Sequence, residues 1–571
     1  MTIMNGEELN SAEKDSMSLL DSLIETIQSD NIEYSTSTHN SEPLETYNKC
    51  TYAGSKTSEL VVFPTSVEQI QKIIKTVNEL NDQGGSYTIY TVSSGQNWGY
   101  GSATPTCDNV ILLCLKKMNK QPEWVGNQHD QNGPYGKTLG IVRIEPGVSQ
   151  IQLYEFLQSE GGKFWMDATG SSIHCSVLAN YMERGFGHTF YGDHFDHVAG
   201  IEAVMADGTF VKTGHAGCNN AANVGVHKHG VGPVLEGLAS QSNLFIVTAI
   251  YIHLMPAKKK LWKYFIKMNS DQVFYETVEQ LRPLKLNGTL NSQMHCANSH
   301  KGIQAVMRYP FKETNGQVPM SDELVERLAA ENQISPWTIS GALYGDSFWE
   351  LFYKFLAVRK QLKGKGKSML MLPSWLAKFF KRVFSSNTMA KLLPKLQQKM
   401  LPQFTVLNEL IGLKQGKPTN FFVDSVYHRK RDIAGMTGNP DVDQVGLIWI
   451  APLGPMTRES LQLLIEHSTA ISGKYKFDPA ISITLLNERA VDCVLSIVFD
   501  RSDEEEDQNA VACYDELMEG FNKLGFTSYR SSARAMINDQ LNYGPELKHL
   551  HRTLKQGLDP KNILSPNHYL N

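Results

Sequence analysis

Long apolar runs are missing from this 571-residue chain. No stretch of 18 apolar residues occurs and the opening MTIMNGEELNSAEKDS carries no apolar h-region, so neither a spanning helix nor a signal peptide is expected. An excess of positive charge is missing too: 54 Lys and Arg stand against 59 Asp and Glu, for a net charge of −5. That balance argues against nucleic acid or any global polyanion as partner. The eight cysteines, at 50, 107, 114, 175, 218, 296, 493 and 513, contain no CxxC pair. They indicate neither a zinc module nor a disulfide framework, and they fit a reducing, cytoplasmic compartment. Neither the GxGxxG fingerprint nor the P-loop pattern occurs at a strand-to-helix junction, and there is no internal repeat.

What is present is an ordinary globular composition, 41% hydrophobic, 9% aromatic and 20% charged, in a chain long enough for roughly two to four domain-sized units. Helical spacing runs from Ser18 to about Gln28. Leu60-Val61-Val62-Phe63 is strand-like and stops at Pro64. Thr65-Ser66-Val67-Glu68 resembles a capping box and leads into a helix with Ile70, Ile73, Ile74 and Val77 on one face, ended by Gly84-Gly85. Further strands are expected at 87–92, 109–115, 140–144 and 245–254, with a helix over about 150–158. Val198 to Gly214 is expected to form a hairpin of two alternating strands joined by Asp207-Gly208. From Ala257 the character changes to mixed helices and strands, and helices return after Glu506.

The most informative stretch is Ser93-Ser94-Gly95-Gln96-Asn97-Trp98-Gly99-Tyr100-Gly101, directly after the strand 87–92. Two serines and three glycines expose backbone N–H groups and let an anion approach closely, so the loop reads as a phosphate cradle or as a simple chain reversal.

The order of motifs decides between them. GQNWGYGSATP (95–105), IEPGVS (144–149), FWMDATG (164–170), ERGFGHTFYGDH (183–194), VMADGTFVKTG (204–214), the run 230–256 and LDPKNILSP (558–566) together resemble the FAD-dependent oxidoreductases related to vanillyl-alcohol oxidase and p-cresol methylhydroxylase. The resemblance covers about 55–256 and 485–571, with the middle only loosely similar. It implies an α+β fold: an N-terminal helical segment (1–54) on a two-subdomain FAD-binding domain (55–256), a cap with a large antiparallel sheet (257–500), and C-terminal helices (501–571) completing the FAD domain and the substrate site. It further implies FAD held by Ser93, Ser94, Gly95, Gln96 and Asn97, by Thr169, Gly170, Ser171, Ser172 and Ser176, and by Ile246 and Val247 at the adenine or ribose. The expected substrate is a small aromatic, the electron acceptor oxygen or another oxidant, and the assembly a homo-oligomer.

Residue by residue, the resemblance places Tyr100, Tyr529 and Arg530 around a phenol hydroxyl bound as phenolate, ready for benzylic hydride loss to flavin N5. Two departures stand out. The strand that carries a flavin-linking histidine in some members reads ERAVDCVLSI (488–497), with Asp492 or Cys493 at that place, so FAD is expected to be non-covalent, a link at Cys493 or Asp492 being the minor alternative. The turn after FWMD, Ala168-Thr169-Gly170-Ser171, lacks the family's acid. His188, near neutrality by nature, is the candidate acid/base in its place, with Asp167 beside it; a histidine satisfying a buried carbonyl is the bland alternative. The histidines at 188, 194 and 197 lack metal-ligand spacing, and no metal is expected.

Between Leu351 and Leu407 there is no Asp or Glu, while basic residues run from Lys354 to Lys399, interleaved with Met369, Leu370, Trp375, Phe379 and Phe380. This pattern suits either a solvated helix face or peripheral contact with the inner face of an anionic membrane. Two other functions remain open on the same motifs: a 2-hydroxy acid or alcohol dehydrogenase, membrane-associated, and a flavoprotein that binds a phenolic or hydrophobic ligand without turnover.

Overall fold

The computed structural model describes residues 11–39, 41–54, 56–126, 133–386, 389, 391 and 393–570; most of the polar opening stretch, 1–10, lies outside them. The first sheet is built of β1 (Glu33–Ser35), β2 (Leu60–Phe63), β3 (Thr88–Val92) and β4 (Val110–Cys114) in the order β1-β2-β4-β3. Strands β2 and β3 both pair β4 in parallel. The helix Val67–Asp82 makes the crossover between them, burying Ile70, Ile73, Ile74, Val77 and Leu80. Its start lies one residue later than the capping box expected from the sequence. Ser66 is the N-cap, accepting from the Gln69 N–H, and Gln69 Oε1 reaches back to the Thr65 N–H at 2.7 Å. Leu23 and Ile27 of the helix Ser11–Ser29 join the same core.

The second sheet is antiparallel: β5 (Glu123–Trp124), β6 (Ile141–Ile144), β8 (Val198–Val204), β9 (Phe210–Lys212) and β10 (Ile246–His253), in the order β5-β6-β10-β8-β9. The hairpin expected over 198–214 is β8–β9, closed by Met205 to Thr209. Its first strand does not alternate, because every residue of Val198–Val204 is buried. Val204 packs in the core of the helix Val67–Asp82, while Val198, Ile201 and Ala203 pack with the helices Gln150–Ser159 and Val177–Met182, so both faces are covered. A two-stranded piece, β7 (Phe164–Trp165) with β11 (Met255–Pro256), closes this half.

The cap is an eight-stranded antiparallel sheet. It comprises β12 (Lys260–Met268), β13 (Met294–Asn298), β14 (Trp337–Gly345), β15 (Lys367–Pro373), β16 (Val445–Ile450), β17 (Leu453–Pro455), β18 (Ile481–Leu485) and β19 (Ala490–Asp500), in the order β15-β12-β14-β13-β18-β19-β16 with β17 on β19. Side chains of a strand alternate between faces, and here the two faces have opposite chemistry. Tyr264, Ile266, Cys296, Ile339, Ile448, Ile483, Val491, Cys493, Leu495 and Ile497 face the helices Asp271–Leu286, Phe348–Gln361, Arg458–Lys474 and Glu504–Lys523 in one core. Lys263, Phe265, His295, Thr338, Ser340, Thr484, Asp492, Val494 and Trp449 face the other way, into a cavity. The helix Glu504–Lys523 therefore belongs to the cap, through Cys513, Tyr514, Leu517 and Phe521, and Cys50 and Tyr52 also enter the cap core. The chain returns to the first sheet at its end, where Leu564 bridges Ile89.

Strand β15 is the outer edge of the cap sheet. Around it Phe348, Trp349 (64% exposed), Tyr353 (67%), Leu370, Trp375 (67%) and Phe379 lie in the open. Phe348 packs at 5.3 Å on Trp262, which pairs with Pro373, the N-cap of the helix Ser374–Phe384. Among the described residues no helix is long and apolar enough to cross a membrane.

The two faces of β19 predict different costs. Leu495→Ala, at 1% exposure in the helix-covered core, is expected to destabilise by about 2–5 kcal/mol, and Val494→Ala on the cavity face by less. Urea midpoints of the two variants measure this, and equal losses would contradict the assignment of faces.

Candidate active site

A cavity of about 690 Å³ lies between the two N-terminal sheets and the open face of the cap sheet. Ser93, Ser94, Gly95, Gln96 and Asn97 line it where β3 ends. Gly95 takes φ +71°, a left-handed conformation that glycine adopts at little cost, and a Cβ on Gly99 would sit 2.1 Å from the Trp449 ring. The N–H groups of Gly95, Gln96 and Asn97 donate to no described residue, and Gln96 Oε1 is buried without a partner. Facing them are Thr169, Gly170, Ser171, Ser176, Ile246 and Val247. Ser172 does not reach the cavity: its carbonyl accepts from Gln150 Nε2 at 3.0 Å and its Oγ from the His174 N–H at 3.1 Å. Open main-chain donors and a buried unpaired amide oxygen fit an extended nucleotide cofactor with a pyrophosphate, which is what FAD presents.

Tyr100, Tyr529 and Arg530 meet on the cavity wall although they come from opposite ends of the chain. The Arg530 guanidinium lies 4.8 Å from the centre of the Tyr100 ring, and its Nη2 donates to Asn97 Oδ1 at 2.7 Å. Glu183 Oε2 stands 3.4 Å from Arg530 Nε and accepts from the Tyr569 hydroxyl at 2.8 Å. Burial disfavours the Arg530 charge, but Glu183 and the surrounding tyrosines hold its pKa above the usual value. The Tyr100 and Tyr529 hydroxyls lie close enough to influence each other's ionisation. Burial raises both pKa values, that of Tyr100 well above 10 and that of Tyr529 to about 12. Both therefore stay protonated donors near neutral pH.

His188 also lines the cavity, its ring 4.2 Å from that of His295 and stacked at 6.4 Å with Phe422. Burial, followed by His295 and Lys414, holds its pKa well below 6.5, so it is a neutral imidazole. Asp167 does not line the cavity. Its Oδ1 accepts from the His188 and Thr189 N–H groups at 3.0 and 2.7 Å and its Oδ2 lies 2.9 Å from His194 Nε2, so the carboxylate anchors the turn that carries His188. Cys493, offered by the sequence as a flavin link, faces the helix-covered core, because β19 turns only its even-numbered neighbours to the cavity.

The cap contributes groups that sequence reasoning missed or misread. Asp492 faces the cavity with Oδ1 buried and unpaired, and burial lifts its pKa to about 8. Cross-strand pairing sets Phe265, Ser340, His295, Thr484 and Asp492 in one row across the sheet. Lys263 and Lys301 open on the same cavity, each with its pKa pushed down to about 7 by burial. Lys301 donates to Ser496 Oγ at 2.9 Å and lies 4.9 Å from the Trp449 ring centre. The available signal was that the polar residues of an otherwise apolar strand share one parity, as Asp492, Ser496 and Asp500 do in AVDCVLSIVFD.

Comparison with known proteins agrees with this geometry. Residues 58–214 match the FAD binding domain family. The chain is 28% identical over 530 residues to 1'-carboxy-chondrochloren decarboxylase of Chondromyces crocatus, covering 91% of this chain and 92% of that protein. It is 27% identical over 526 residues to the 4-cresol dehydrogenase (hydroxylating) flavoprotein subunit of Pseudomonas putida, covering 88% and 86%. The crystal structure of p-cresol methylhydroxylase with substrate bound superposes with a TM-score of 0.81 over 97% of each chain, at 24% identity. Residues 58–214 thus carry an FAD binding domain, and over most of its length the chain is similar to FAD-dependent oxidoreductases of the vanillyl-alcohol oxidase and p-cresol methylhydroxylase kind.

Proposed function

We propose that the protein oxidises a para-substituted phenol or related hydroxylated aromatic, removing a hydride from the benzylic carbon to leave a quinone methide. The observation that carries this reading is the convergence of Tyr100, Tyr529 and Arg530 on one wall of the cavity. The relative in Pseudomonas putida is named for such a substrate, 4-cresol. Bound FAD would supply the hydride acceptor, held by Ser93 to Asn97 and by Thr169 to Ser171, with oxygen or another oxidant taking the electrons afterwards.

The residues of this chain have the following parts. Arg530 and the two tyrosine hydroxyls hold the phenolic oxygen after its proton leaves, stabilising the anion with charge-assisted hydrogen bonds. The electron-rich ring that results is what makes hydride loss feasible. Neutral His188 accepts a proton from whatever nucleophile adds to the quinone methide. Asp492, protonated below about pH 8, adds no negative charge beside the phenolate.

We also propose that the exposed aromatics around β15, with the basic residues between Lys354 and Lys399, lie on the inner face of an anionic bilayer.

Anaerobic addition of 4-ethylphenol or 4-hydroxybenzyl alcohol is expected to bleach the flavin. Arg530→Ala should lower that reduction by roughly 10–100-fold, about 1.4–2.8 kcal/mol, while most flavin is retained; parallel loss of flavin would mean that Arg530 serves the loop at Asn97 instead. Raising pH through about 8 ionises Asp492 and sets a negative charge beside the phenolate, so phenol affinity is expected to fall there, and Asp492→Asn to lose that limb. A limb that persists in the variant would assign it to another group. For the surface, sedimentation with phosphatidylserine vesicles at low salt and release at high salt is expected, and no sedimentation at low salt would end that proposal.

A further inference from the structure

The two ends of the cavity differ in electrical balance. At the Tyr100 end Arg530 already has a counter-ion in Glu183. At the other end the Lys263 ammonium stands beside the neutral rings of His188 and His295 without one. The Lys263 ammonium, 1% exposed, has a single acceptor among the described residues, Ser340 Oγ at 2.6 Å, which leaves two of its three donors open. Ser340 is the cross-strand partner of His295, whose ring meets that of His188 at 4.2 Å. Behind them stand two more buried lysines, each spent on a main-chain carbonyl: Lys414 on Gln293 at 2.7 Å and Lys285 on Ser292 at 3.4 Å. The carboxylate that acts on His188 and Lys414 is Asp167, committed to His188, Thr189 and His194 as described. Burying uncompensated ammonium groups is costly, and an anion brought into the cavity removes much of that cost.

We propose that Lys263, with His188 and His295, forms a carboxylate-binding subsite opposite Tyr100, Tyr529 and Arg530, so that the substrate is a phenol whose para side chain ends in a carboxylate. This rests on the phenol reading above. The spacing is suitable. Ser340 and Asp492 lie three strands apart in the row, about 14 Å at ~4.8 Å per strand. A phenol oxygen and its para carbon substituent span about 6 Å, and a hydrogen bond of ~2.8 Å at each end leaves about 2 Å. At ~1.3 Å per bond along the chain, the bonds from the benzylic carbon to a carboxylate oxygen take that up, which sets the carboxylate one or two carbons from the ring.

The test compares 3-(4-hydroxyphenyl)propanoate with its amide on the holoenzyme, by titration of the flavin spectrum without oxygen. The acid is expected to bind at least tenfold tighter than the amide, and Lys263→Met to collapse that ratio. Equal affinity of acid and amide in the unaltered enzyme overturns the subsite, whether or not the variant folds. A ratio that survives Lys263→Met removes Lys263 from it, and a variant that loses FAD instead assigns the lysine to the cofactor; both overturn the proposal. The pair 3-phenylpropanoate and 3-phenylpropanamide asks the same question without the hydroxyl. If 4-ethylphenol fails to reduce the flavin, the phenol reading falls; if 4-ethylphenol reduces it and neither acid outbinds its amide, only the subsite falls.

Discussion

The segment 527–533 is pinned from several sides, and the site depends on that pinning. The Leu453 N–H donates to Thr527 O and the Tyr529 N–H to Ala451 O, which ties the segment to the cap. The Ala533 N–H donates to Tyr100 O, Arg530 Nη2 to Asn97 Oδ1 and Gln241 Nε2 to Tyr529 O, which ties it to the FAD-binding half. A short piece of chain thus fixes the distance between the cofactor loop and the cap sheet. The price of that arrangement is a buried guanidinium, made tolerable by Glu183, which the Tyr569 hydroxyl in turn holds in place.

The cap sheet supplies the opposite wall through its alternation. Because one face is sealed by helices, every apolar residue at one parity is spent on stability, and the other parity is free for chemistry. The result is a cavity whose polar groups are graded along a single cross-strand row, from Asp492 near the tyrosines to His295 and Ser340 near Lys263. Taking these groups out of water disfavours their charged forms, which is why burial dominates the shifts of Asp492, Lys263 and His188.

Local chemistry made part of this legible in the chain itself. The glycine-serine loop after β3, the helix Val67–Asp82 and the run 164–176 are short-range features whose residues are their own explanation. The cap was less legible: Lys263, His295 and Asp492 sit in separate strands with no motif around them, and only their parity marks them. The same parity settles Cys493, which chain position alone set beside Asp492 as an equal.

The sequence by itself pointed to the cofactor class and the α+β character, and through the resemblance it singled out Tyr100, Tyr529 and Arg530, because each reading rests on residues close together in the chain or on motifs of fixed order. Tertiary structure alone decided which titratable groups share the cavity. Asp167, one turn from the expected acid, is consumed by backbone donors and His194, whereas Lys263 and His295 are joined through Ser340 by strand register. Which groups become neighbours depends on pairing between distant strands, and that is fixed only when the whole apolar face of the sheet is buried at once.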